Sequence, residues 1–266
     1  MRKFLIALVL SAVSITEAAH LDVSEISGYT QIYGLAIPDN ADFNNVAVPY
    51  GPDNSSTSIP GGIARIGYYL ELDNGTTRQW VWVSMDAFTQ DLTMIGVPTI
   101  ASGAEWQMIV DNMNVESNVA GIVTGTGIAT GNIEFWHNNY GTANGLSGIG
   151  GDGDRYDFDD TFILNTSDFG SMQIHNHDGA GQTLFAYNDW GRNENQLVDD
   201  VGIGNNTIAN TVDGLLHPDW THSQNADSFT IKNLEVWVQP VPIPAAAWLF
   251  GSALGLLGWI RRKKAS

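Results

Sequence analysis

Apolar residues through the middle of the chain come in short runs broken by Gly, Asn, Asp and Thr, and no stretch keeps helical spacing for three turns. That pattern predicts strands. Ile63 to Leu72 and Gln79 to Phe88 flank Asp73, Asn74 and Gly75, so they read as a β-hairpin. In the second run Val81, Val83 and Met85 share one face and Trp80 and Trp82 the other, as expected of a strand covered on both sides. Further strands are expected at Glu105 to Val110, Val119 to Thr124, Asn132 to His137, Thr161 to Asn165, Ser171 to His177, Thr183 to Tyr187 and Phe229 to Val238. In the last of these, Phe229 and Ile231 are out of phase with Leu234, Val236 and Val238, which predicts a β-bulge at Lys232 and Asn233. Many short strands without an internal repeat predict an all-β body, a jelly-roll-like β-sandwich.

The two ends depart from this pattern. Arg2 and Lys3 precede the apolar run Phe4 to Val13, with small residues at Ala18 and Ala19, the three regions of a secretory signal peptide cleaved after Ala18. At the other end, Val241 to Pro244 is a proline-stiffened lead-in, Ala245 to Ile260 is uncharged, and Arg261, Arg262, Lys263 and Lys264 follow. Sixteen helical residues reach about 24 Å, a short membrane helix, and the cations hold its end on the cytoplasmic side. The expected organisation is a signal helix over 1–18, a body over 19–240 and a C-terminal single transmembrane helix within 241–266.

This tail resembles the PEP-CTERM sorting signal of exopolysaccharide-producing Gram-negative bacteria. The family's Pro-x-Pro motif falls on Pro242, Ile243 and Pro244, with Ile243 where the family name records a Glu. The apolar helix and basic end follow in the family's order. The resemblance covers about a tenth of the chain and implies recognition by an exosortase after export by the general secretion machinery. It further implies cleavage near the motif, passage through the inner membrane by way of Ala245 to Ile260, and delivery to the cell surface or extracellular matrix.

Charge narrows the partners. The body keeps only five bases, Arg65, Arg78, Arg155, Arg192 and Lys232, against 28 acids, a formal charge of −23. Binding to nucleic acid depends on clustered cations and is not expected. Cysteine is absent, so the exported body must be held by its core alone.

Three constellations are candidates for chemistry. Gly150 to Asp160 places Asp152, Asp154, Asp157, Asp159 and Asp160 on a glycine-rich loop, hard oxygen ligands of the kind Ca²⁺ takes, although the spacing is not that of an EF-hand. His175 and His177 share a strand face and could grip a transition metal with His137, His217 or His222, while a surface strand with two exposed histidines is the plainer account. Trp136, Tyr140 and Trp190 lie among Asn, Asp and Gly, a composition that suits stacking on sugar faces.

Glu71 beside Tyr69, Glu134 beside Trp136 and Glu235 beside Trp237 each pair an acid with an aromatic, but no spaced pair of catalytic carboxylates appears. Serine-nucleophile elbows, P-loops and HExxH are absent. The sequence therefore points to a non-enzymatic surface or matrix component that associates with polysaccharide. The alternative is a secreted glycoside hydrolase or lyase on the same scaffold.

Overall fold

A computed structural model describes residues 22–37, 47–98, 106–136, 169–176, 182–190, 199–204 and 229–242. The expected signal helix over 1–18, the strand expected at Thr161 to Asn165 and the expected transmembrane helix within 241–266 fall on residues outside these, apart from Val241 and Pro242. Among the described residues no helix is long and apolar enough to cross a membrane.

The body is all-β. Among the described residues nine strands, β1 (Thr30–Ala36), β2 (Ile63–Asp73), β3 (Arg78–Asp86), β4 (Trp106–Ser117), β5 (Gly125–Trp136), β6 (Phe169–Asn176), β7 (Gln182–Trp190), β8 (Asp199–Ile203) and β9 (Ile231–Pro240), join in one antiparallel sheet. Their order is β1-β9-β2-β3-β4-β5-β6-β7-β8. Neighbours in sequence are neighbours in space except where β9 inserts between β1 and β2. The free edge of β1 is covered by the segment around Pro52, through Gly34 N to Pro52 O at 3.0 Å and Gly51 N to Gly34 O at 2.8 Å. Such cover protects an otherwise unpaired strand edge.

The sheet turns a corner within β4. Asn114 to Ser117 pair with β3, whereas Trp106 to Met113 pair with β5 alone. Close to this change of partner Asn112 adopts φ 54°, a left-handed conformation that Asn tolerates better than most residues. Arg65 Nη2 donates to Asn112 O at 2.9 Å, and Asn112 Nδ2 donates to Asp86 Oδ1 at 3.0 Å, so β2 and β3 hold the corner. A strand bent at an irregularity lets one sheet supply two packed layers. Here the turn brings β7 and β8 back towards β3, enclosing one core that draws on all nine strands.

Alternation sets which side chains enter that core. Ile66, Tyr68, Leu70 and Leu72 of β2 and Val81, Val83 and Met85 of β3 face it, and Tyr69, Trp80 and Trp82 form a second cluster on the opposite face. The β2–β3 hairpin turns at Asn74 and Gly75, the latter at φ 79°, and Asn74 Oδ1 accepts the Thr76 and Thr77 N–H groups at 3.0 and 2.8 Å.

Several expectations are corrected. Val119 to Thr124 is not a strand but the β4–β5 turn, where Gly121 takes φ 93°. The bulge expected at Lys232 and Asn233 is absent, because β9 pairs with β2 without a break from Ile231 to Val238. Ile231 is instead 46% exposed and Lys232 fills the core position at 5%. The irregularity lies on the partner strand: the β1–β9 register shifts at Ile32, which lets β1 bury Ile32 and Tyr33 in succession.

Candidate functional site

The face opposite the core is closed by the chain's own N-terminal segment. Asp22 to Gly28 makes no ladder with the sheet, and Val23, Ile26 and Tyr29 pack on Tyr69, Trp80, Trp82 and Trp237. Two carboxylates fix it. Glu116 accepts Ser24 N, Ser24 Oγ and Glu25 N at 2.9, 2.8 and 3.0 Å, satisfying the donors at the start of the turn. Glu25 reaches down into the sheet, where Trp82 Nε1 and Ser84 Oγ each donate to Oε2 at 2.8 Å. Its Oε1 accepts Asn114 Nδ2 at 2.7 Å and Tyr29 OH at 2.9 Å, and Arg65 Nε stands 3.5 Å away.

A carboxylate has about four lone-pair sites, so Glu25 is saturated. Burial alone would raise its pKa, but the hydrogen bonds from Trp82, Ser84, Asn114 and Tyr29 outweigh burial and hold it below the ordinary carboxylate range. Arg78 ties the other end of the segment: it pairs with Asp22, and its Nη2 donates to Glu71 Oε2 at 2.8 Å and to Tyr69 OH at 2.9 Å.

Two of the acid–aromatic neighbours from the sequence are hydrogen-bonded pairs. Tyr69 OH donates to Glu71 Oε2 at 2.7 Å, and Trp237 Nε1 donates to Glu235 Oε2 at 3.0 Å. Burial and the bond to Glu71 push the Tyr69 hydroxyl far above the usual tyrosine value, which unsuits it as a base. Glycoside hydrolysis needs a carboxyl whose pKa is raised. Glu25 and Asp91 shift the other way, Asp91 under hydrogen bonds from the Thr93 side chain and backbone. The aromatic rings on this face are buried beneath the segment, so the face is a structural clasp and not an open stacking platform.

The other candidates lie at the far end of the sheet. Trp136 closes β5 and Trp190 closes β7. Trp136 stands opposite Ser171, Ser171 opposite Asn188, and Trp190 opposite Phe169. The two tryptophan positions therefore belong to one face and one end of the sheet, with β6 between them, about 12 Å apart from strand spacing and rise. The connection that carries Tyr140 and Asp152, Asp154, Asp157, Asp159 and Asp160 leaves β5 from this same end. Those six residues themselves lie outside the described ones.

On the same face of β6, Gln173 and His175 are both buried, His175 to 1% exposure. The expectation of an exposed His175 is thus corrected. His175 Nε2 meets Gln173 Oε1 at 3.1 Å, and the Gln173 Nε2 donor has no partner among the described residues. His177, His137, His217 and His222 lie outside the described residues, among which no group of His, Asp and Glu could hold a metal ion.

Of the sorting motif, Pro242 is described and exposed, while Ile243, Pro244, Arg261, Arg262, Lys263 and Lys264 are not described. The last backbone bond of the body runs from Val241 N to Gly62 O at 2.9 Å, and Val241 is 40% exposed.

Sequence reasoning missed Glu25, Glu116, Asn114 and Asp22 because their partners lie far along the chain, 92 residues in the case of Ser24 and Glu116. One signal was available. A body with five cations that places Arg65 and Arg78 on adjacent strands beside Tyr69 and Trp80 marks those two as partners of buried acids. No known protein family, no curated protein and no solved structure matches this chain.

Proposed function

We propose that the chain is an exported surface or matrix protein, sorted through its tail by an exosortase-type system and serving as a non-enzymatic, polysaccharide-associated component. The observation that carries this reading is the three-part tail of Val241 to Ser266, a Pro-x-Pro motif, an apolar run and four cations. Support comes from the way the body ends. β9 is an interior strand complete at Pro240, and the chain turns outward at Val241 and Pro242. Cleavage at the motif would leave every ladder bond of β9 intact, and two prolines would present an extended peptide to a processing enzyme.

The body is proposed as a jelly-roll-like sandwich formed by the bend at Asn112. Its proposed sugar-facing residues are Trp136, Tyr140 and Trp190, with Ca²⁺ held by the Asp152 to Asp160 loop, whose carboxylates and glycines suit an ion that takes six to eight oxygens. A stop codon in place of Val241 tests the sorting. Loss of surface delivery, with release of a folded body, is expected. An unchanged destination and size would remove the tail's role as an address.

A further inference from the structure

We propose that the glycan taken at the Trp136–Trp190 end of the sheet is uncharged, and that this end excludes uronate-bearing and sulfated polymers unless a divalent cation bridges them. The inference rests on the carbohydrate-binding reading and narrows its ligand.

An acidic sugar gains from a protein only where a cation is free to meet it, since like charges brought together without one cost several kcal/mol. The body has five candidates. Arg65 is engaged by Asp86 at 3.0 Å and Glu25 at 3.5 Å, and Arg78 by Asp22 and Glu71. Lys232 occupies a core position.

The two remaining cations are outnumbered by their neighbours in sequence. Arg155 sits in sequence among the five aspartates of the Gly150 to Asp160 loop, and Arg192 between Asp189 and Glu194. Register adds to this beside Trp190: Asn188, on the same face, pairs with Asp200, while Asp189 pairs with Asp199 at the same end on the other face. Around a body of formal charge −23 the repulsion acts within a Debye length of about 10 Å at moderate salt. A neutral glycan escapes it, because ring stacking and hydroxyl hydrogen bonds to amides and carboxylates need no cation.

The test applies the detergent-solubilised full-length chain to a glycan array printed with neutral, uronate-bearing and sulfated glycans, in EDTA and in Ca²⁺, at low and high salt. Binding confined to neutral glycans in EDTA and little changed by salt is expected. Acidic glycans should bind at least about tenfold more weakly at low salt, and Trp136→Ala and Trp190→Ala should remove the neutral signal. Firm binding of an acidic glycan in EDTA at low salt would overturn this inference while leaving the carbohydrate reading intact. Binding to no glycan in any condition would overturn both.

Discussion

Replacing Gly67 by alanine tests how the clasped face is built. Gly67 lies opposite Ser84 of β3 and Trp237 of β9, and the Trp82 ring is laid across it. An added Cβ would overlap Trp82 Cη2 and lie 2.6 Å from Cζ2 and 3.1 Å from Cζ3, so the ring must move. It has little room to do so. Trp82 meets Tyr29 edge to face at 5.2 Å, and its Nε1 donates to Glu25 Oε2 at 2.8 Å.

Overpacking costs about 1–3 kcal/mol. Loss of a hydrogen bond to a charged partner costs about 1.5–3 kcal/mol. Removing a glycine from a strand returns about 0.5–1 kcal/mol. The expected net loss is about 1.5–5.5 kcal/mol, or about 3–22 °C in Tm for a body of this size. Chemical denaturation followed by tryptophan fluorescence measures it. Gly51→Ala, where an added Cβ meets nothing within 4 Å, should stay within about 0.5 kcal/mol of the parent. In a Trp82→Leu background the cost of Gly67→Ala should largely vanish, because the two changes act on one contact. A neutral Gly67→Ala, or a cost that persists without the indole, would refute the reasoning.

Three further outcomes are expected. Since the folded-state pKa of Glu25 lies below the ordinary 4.5, its stabilisation is complete above that pH and is lost as pH falls through the lowered value; thermal melts across the acid range should show this slope, and Glu25→Gln should flatten it. Asn112→Gly accepts φ 54° but loses the bond to Asp86 and should cost about 1–2 kcal/mol, whereas Asn112→Val loses the same bond and adds backbone strain, for about 1–3 kcal/mol more, both read from denaturant midpoints. Should Asp152, Asp154, Asp157, Asp159 and Asp160 hold Ca²⁺ as proposed, EDTA should lower the Tm of the full chain and Asp154→Asn with Asp157→Asn should remove that sensitivity, as seen by calorimetry.

What the sequence made legible was local. The β2–β3 hairpin could be read because alternation ran unbroken through Val81, Val83 and Met85 and a turn residue pair stood between the strands. β1 could not, since its bulge buries consecutive residues and erases the period of two. β8, five residues of DDVGI, is too short to carry a pattern, and its pairing with β7 supplies what its sequence lacks. Val119 to Thr124 misled because apolar residues under a turn look like a short strand until Gly121 takes its positive φ.

Lys232 and Ile231 misled for another reason. Ladder pairing to β2 on one side and β1 on the other fixed the phase of β9 against its own hydrophobic pattern. The acids of the clasp were hidden, since nothing near Glu25 in sequence names Trp82, Ser84 or Asn114, and only the scarcity of cations pointed to Arg65 and Arg78. The two tryptophans of the proposed sugar site stand out in sequence by their polar neighbours, and their common end of the sheet follows only from the register of β5, β6 and β7.

The most direct test of the whole account is the intact mass of the chain recovered from the outer surface of the cell that makes it. The account predicts a single species that begins at or near Ala19 and ends within a few residues of Pro242. A full-length chain found in the cytosol with both termini in place would contradict it.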